Sequence, residues 1–130
     1  FGRFGVLVIE TKGISGSISG SGKYLEHRIG AQSHKFYNPQ FQNKTHIDNV
    51  VHHLKKGGFN RTPVEGAVVF AAKDITFPQG LGVDLRGLEK LYNSLPDAGC
   101  NQDVLYNYFD GIRIKSPLKK LFVRIRKKND

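Results

Sequence analysis

The sequence has a single cysteine, no methionine and no tryptophan in 130 residues. A lone Cys100 excludes an internal disulfide and a cysteine-based zinc site, and it fits a reducing compartment such as the cytoplasm. Long apolar runs are missing too. None approaches the ~20 residues needed to span a bilayer, and none has the layout of a secretory signal. Without such a signal, the glycosylation tripeptides Asn43-Lys44-Thr45 and Asn60-Arg61-Thr62 read as chance matches. With no initiator methionine and a strand pattern close behind Phe1, the sequence reads as a fragment whose upstream part is missing. Acids are scarce: 11 Asp and Glu face 20 Lys and Arg, for a formal net charge of +9. That excess favours a polyanionic partner, most simply nucleic acid, with an anionic membrane surface as the weaker option. The charge is uneven. Arg113, Lys115, Lys119, Lys120, Arg124, Arg126, Lys127 and Lys128 follow one another with no acid between them. Within that run, Lys119, Lys120, Arg124 and Lys127 are the candidate nucleic-acid contacts.

What is present fits one domain of mixed α/β or α+β class over residues 1–130. Gly5-Val6-Leu7-Val8-Ile9-Glu10-Thr11-Lys12 enters as an unbroken apolar run, the pattern of a strand covered on both faces. It leaves as an acid, a spacer and a base. Side chains alternate along a strand, so Glu10 and Lys12 share one face, ~7 Å apart. Such a tripeptide is common, and at most strand ends it is a solvated pair worth ~0–1 kcal/mol. At the rim of a buried sheet the same pair can do chemistry, the carboxylate holding a divalent metal and the ammonium orienting a water beside it.

Further along, Gly20-Ser21-Gly22 reads as the turn of a hairpin, with Lys23 to Ile29 as the return strand. The glycines are not a phosphate loop, since no Gly-Lys-Ser/Thr ending follows them. Ala31 to Tyr37 reads as a connection. Asn38 and Pro39 then mark a helix start, as N-cap and first helical residue. Ile47, Val50, Val51 and Leu54 form the buried face of that helix, and Gly57-Gly58 ends it. Gln42, His46, Asn49 and His53 share a neighbouring stripe. All five histidines lie between His27 and His53, but no His-Glu-x-x-His spacing occurs among them. Val64 to Ala72 is a second apolar strand, and Lys73 to Gly82 reads as a loop. Helices are expected around Leu85–Leu95 and Val104–Phe109, and a last basic one is expected from Pro117.

Taken together, Val8-Ile9-Glu10-Thr11-Lys12-Gly13, Gly16, Phe36-Tyr37-Asn38-Pro39-Gln40-Phe41-Gln42-Asn43 and Val68-Val69-Phe70 resemble the nuclease-related domain (NERD) family. That family is similar to the wider PD-(D/E)xK nuclease superfamily. The resemblance covers Phe1 to about Ala72, and its most specific part is the pairing of Ile-Glu-Thr-Lys with the downstream Asn-Pro-x-x-Gln-Asn. It implies a restriction-endonuclease-like fold, a central mixed β-sheet flanked by helices, here lacking its N-terminal elements. Residues 1–72 would form the nuclease-like core, and 73–130 a helical and basic C-terminal part. By the same resemblance Glu10 would bind metal, with the Thr11 backbone carbonyl as a second ligand. Lys12 would position the attacking water and stabilise the transition state, and Gln42 would complete the site. The superfamily pattern also holds an earlier acid on the preceding strand, and no residue lies that far upstream of Glu10 here.

The function expected on these grounds is that of a nuclease dependent on Mg²⁺ or Mn²⁺, acting on nucleic acid and in first place DNA. The alternative is a non-catalytic nucleic-acid-binding module keeping the same fold. A third reading is a membrane-surface or protein-interaction domain that uses the basic tail.

Overall fold

The computed structural model describes residues 1–112 of the chain. Its elements in order are β1 (Val6–Lys12), β2 (Gly16–Ser19), β3 (Tyr24–Ile29), β4 (Gln32–Tyr37), α1 (Pro39–Lys56), β5 (Val64–Phe70), β6 (Ile75–Thr76), α2 (Leu85–Ser94) and α3 (Gln102–Ile112). β1 and β5 form a two-stranded sheet, and a four-stranded sheet has the order β4-β3-β2-β6. Strands and helices are mixed as expected for an α+β nuclease-like fold. Among the described residues no helix is long and apolar enough to cross a membrane. The expected helix from Pro117 and the basic residues Lys119, Lys120, Arg124 and Lys127 lie outside the described residues.

The described residues form two compact units, one of Phe1–Ile9, Thr45–Gly66 and residues 95–112, the other of Glu10–Lys44 and Ala67–Ser94. The first unit is built on the apolar run of β1. Val6 and Val8 pack with Val50 and Leu54 of α1 and with Leu105 and Phe109 of α3, all at most 4 % exposed. Burying side chains of this size contributes about 1.5–3 kcal/mol each. α1 ends where the sequence turns to glycine. Gly58 adopts φ +84, a left-handed conformation that a β-carbon disfavours, and the Phe59 N–H returns to the Leu54 carbonyl. Asn101 caps α3 by accepting the Val104 N–H. An exposed Arg3–Asp97 ion pair lies at the surface of the same unit, and the Arg3 guanidinium holds the Asp97 carboxyl below the usual carboxylate range.

The second unit has its own core of Ile18, Leu25, Val68, Phe70 and Leu81. β2 and β3 are antiparallel with Ser19 opposite Glu26, so the hairpin turns at Gly20-Ser21-Gly22. The segment expected as a connection, Ala31 to Tyr37, instead contains β4, paired antiparallel with β3 from Tyr24↔Tyr37 to Ile29↔Gln32. Five of its six residues are exposed and only Phe36 is partly covered. A strand at the sheet edge with one half-buried side chain carries no apolar alternation, and that alternation is the signal a strand is read from. β6 was hidden for a related reason. Its two residues lie in the expected loop Lys73 to Gly82 and are strand only through parallel pairing with β2 at Gly16↔Ile75 and Ser17↔Thr76.

Candidate active site

The site is assembled from the last residues of β1 and the first turn of α1, both within the second unit. Asn38 fixes where α1 begins. Its side-chain oxygen accepts the Gln40 N–H at 2.9 Å, its amide donates to the Gly22 carbonyl at 2.8 Å, and its backbone N–H donates to the Lys23 carbonyl at 2.9 Å. Pro39 follows at the first helical position, where its missing N–H costs nothing. The helix start is thereby tied to the β2–β3 hairpin, and Gln42 leaves the first turn at a set place.

At the strand end, Glu10 is buried at 6 % exposure although it is charged. Its carboxylate faces the Lys12 ammonium at 3.4 Å. The Lys12 ammonium in turn donates to the Gln42 side-chain oxygen at 3.0 Å. Two side chains brought to one face by strand alternation thus meet a third from 30 residues further along the chain. The Phe36 ring, projecting from β4, lies 5.9 Å from the Lys12 nitrogen, within range of a cation–π contact. Sequence reading missed this fourth neighbour. Phe36 opens the stretch that carries the family resemblance, but in a segment without apolar alternation nothing marked it as a neighbour of Lys12.

Thr11 is placed differently. Its hydroxyl is buried and has no hydrogen-bond partner among the described residues. Alternation sends it to the strand face opposite Glu10 and Lys12, so only its backbone carbonyl shares their end of the strand. Among the described residues no three His, Cys, Asp or Glu side chains converge as a metal-holding group. His27, buried at 8 %, pairs its ring nitrogen with the Ser15 carbonyl at 2.7 Å and serves the hairpin. Asn43, next to Gln42, is buried and donates to the Ala67 carbonyl at 3.4 Å, which anchors the first turn of α1.

Beside the strand end is a cleft of about 480 Å³, with walls that include Phe70, Ala71, Lys73, Phe77, Asp84 and Arg86. Its position follows from backbone pairing, since the Ala71 N–H donates to the Lys12 carbonyl at 3.0 Å. Lys73 and Arg86 place two cations on its rim against the single acid Asp84, which also caps α2 by accepting the Gly87 N–H at 2.8 Å.

No curated protein and no solved structure matches the chain. The model of one family does, that of the nuclease-related domain, over residues 1–71. That span is more than half of the sequence, and it takes in Glu10, Thr11, Lys12, Phe36, Asn38 and Gln42. The chain belongs to the nuclease-related domain family.

Proposed function

We propose that this domain hydrolyses phosphodiester bonds of nucleic acid, DNA in first place, with the help of a magnesium- or manganese-type ion. The observation that carries the reading is the Lys12 ammonium held between the Glu10 carboxylate and the Gln42 amide oxygen at the end of a buried strand. A purely structural ion pair would be better placed in water, where it costs no desolvation. Here a carboxylate is kept almost fully buried beside a cation that is itself only 22 % exposed at its side chain.

Hydrolysis joins a water oxygen to phosphorus and breaks one ester bond, the water losing a proton and the departing oxygen gaining one. Glu10 and the Thr11 carbonyl would hold the ion. Both are hard oxygen donors, and magnesium takes one or two carboxylates while keeping several waters. Such an ion supplies a water of lowered pKa and neutralises phosphate charge. Lys12 supplies a fixed positive charge to the phosphoryl oxygens as they become more negative. An ammonium has three N–H donors, so it can keep Gln42 and Glu10 and still reach a substrate oxygen. In a partly dry site that charge acts more strongly than in water. Gln42 orients the ammonium by accepting one of its hydrogens, and the Phe36 ring flanks the same nitrogen. Lys73 and Arg86 would draw the phosphate backbone toward the cleft without reading sequence.

The test uses the full-length protein with labelled single- and double-stranded oligonucleotides, with and without Mg²⁺ or Mn²⁺. Cleavage is expected only with metal. Lys12→Ala should lower the cleavage rate by roughly 10²–10³ with binding nearly intact, since its charge acts chiefly in the transition state. Glu10→Ala should abolish cleavage and weaken metal binding measured by calorimetry. Gln42→Ala should fall between wild type and Lys12→Ala. A full-length protein that binds DNA without metal-dependent cleavage, and is indifferent to Lys12→Ala, would leave the binding-module alternative standing.

A further inference from the structure

The register of β3 and β4 sorts their side chains into two sets. Tyr24 pairs with Tyr37, Glu26 with Lys35 and Arg28 with Ser33, so these six share one face, while Leu25 and His27 turn the other way into the unit. On the outer face Tyr24 is 54 % exposed and Tyr37 39 %. Their ring centroids are 5.7 Å apart. Phe41, on the first turn of α1 and 42 % exposed, continues the row with its ring 6.5 Å from that of Tyr37. Three neighbouring rings left in water form an apolar patch of the kind that marks an interaction site.

The charges around the rings narrow the choice of partner. The Lys35 nitrogen lies 5.4 Å from the Tyr24 ring centre and the Lys23 nitrogen 5.9 Å. Glu26 is the one acid on the face, and Arg28 donates to its carboxylate at 3.1 Å. Hydrogen bonds from Arg28 and Ser33 hold the Glu26 carboxyl below its ordinary pKa. The acid is thus engaged within the face, and Lys23 and Lys35 are left as its net positive charge. Flat π surfaces bordered by ammonium groups match a chain of bases joined by phosphates, provided the base faces are available. In a duplex the bases stack on each other and offer only edges, so exposed rings gain little from it.

We propose that the outer face of β3 and β4, with Phe41, is a stacking platform for an unpaired nucleic-acid strand. Tyr24, Tyr37 and Phe41 take bases, and Lys23 and Lys35 take phosphates. Phe36, which pairs with Leu25 and flanks Lys12, projects from the opposite face of β4, so the platform holds an unpaired strand on a surface separate from the candidate active site. The proposal shares only its nucleic-acid partner with the nuclease reading.

The experiment measures binding of a labelled oligothymidylate of about 12 nucleotides, within the site sizes of such platforms, and of the corresponding duplex, in EDTA so that no cleavage enters. The oligothymidylate is expected to bind more tightly than the duplex. Tyr24→Ala and Tyr37→Ala should each weaken oligothymidylate binding roughly tenfold and leave duplex binding unchanged, as loss of one stacked base implies. Tyr24→Phe keeps the ring and should bind like wild type. Tyr92→Ala, at another exposed tyrosine, should have no effect. Lys35→Ala should lower the log–log salt slope for the oligothymidylate by about 0.7. Because the chain has no tryptophan, quenching of tyrosine emission by the oligothymidylate gives a second readout, and the Tyr24→Ala/Tyr37→Ala protein should lose most of it. Unchanged oligothymidylate affinity in that double variant, or equal losses in Tyr24→Phe and Tyr24→Ala, would overturn the platform even if metal-dependent cleavage is intact. The expected ring dependence would uphold it even if no cleavage is found.

Discussion

Lys12 shows how much one residue's surroundings decide what it can do. A lysine at a strand end is ordinarily a solvated charge, yet here its ammonium is bounded by a buried carboxylate, an amide oxygen and an aromatic ring. Gly16 is the second residue whose identity matters, and for steric reasons. It sits at φ +103, and a β-carbon there would lie 2.3 Å from the Arg28 carbonyl oxygen. Its N–H donates to the Asp74 carbonyl at 3.0 Å, so the backbone cannot shift away without loosening the β6 side. Gly16→Ala is therefore expected to destabilise the protein by about 2–4 kcal/mol, read as a lower urea midpoint. Gly13→Ala is the control. Its added carbon would meet nothing within 4 Å, and the change should stay within about 0.5 kcal/mol.

At the scale of elements, the start of α1 governs the site more than its apolar face does. The Asn38 side chain makes two bonds of different kinds, one capping the helix and one pinning the hairpin. Asn38→Asp keeps the acceptor and loses the donor, whereas Asn38→Ala loses both. Thermal or urea unfolding should rank wild type above Asp and Asp above Ala. The Ala variant should lie about 2 kcal/mol below wild type, of which roughly half is the cap. If the proposed role of Gln42 holds, cleavage should fall further than stability at a temperature where both variants are folded, because a slack first turn moves Gln42 away from Lys12. Equal cleavage in all three proteins would show that Gln42 needs no fixed helix start.

For the whole molecule, the distribution of charge outweighs its total. Residues 1–112 carry twelve bases and ten acids, so most of the +9 comes from the chain beyond them. Duplex binding driven by that basic run should weaken steeply with salt, with a slope near −0.9 in log–log form for each phosphate neutralised. Replacing Lys119, Lys120, Arg124 and Lys127 with Ala should flatten the slope by about 0.9 for every contact removed, and should leave the ring dependence of single-strand binding intact. An unchanged duplex slope would make this run an ordinary solvated face or a contact for something other than nucleic acid. The two modes of binding, one by charge and one by stacked rings, are thus separable in a single salt titration.

Features that depend on local geometry are legible in short stretches of the chain. A period of two places Glu10 and Lys12 on one face, an Asn-Pro pair starts α1, a Gly-Gly pair ends it, and an unbroken apolar run makes β1 a core strand. These features follow from the dihedral preferences of adjacent residues, so short windows of sequence contain them. Features that depend on register between distant segments emerge only in the folded chain. Gln42 meets Lys12 because Asn38 is tied to Gly22 and Lys23, a link no window around Gln42 contains. β4 is a strand because β3 pairs with it, and its exposed side chains hold no pattern of their own. Pairing also converts Tyr24 and Tyr37, 13 positions apart, into neighbours on an outer face, and turns Phe36 toward Lys12. Hydrophobic periodicity encodes which side of an element is buried. It does not encode what an exposed side will lie next to, because that depends on pairing between strands and leaves no trace in the composition of either one.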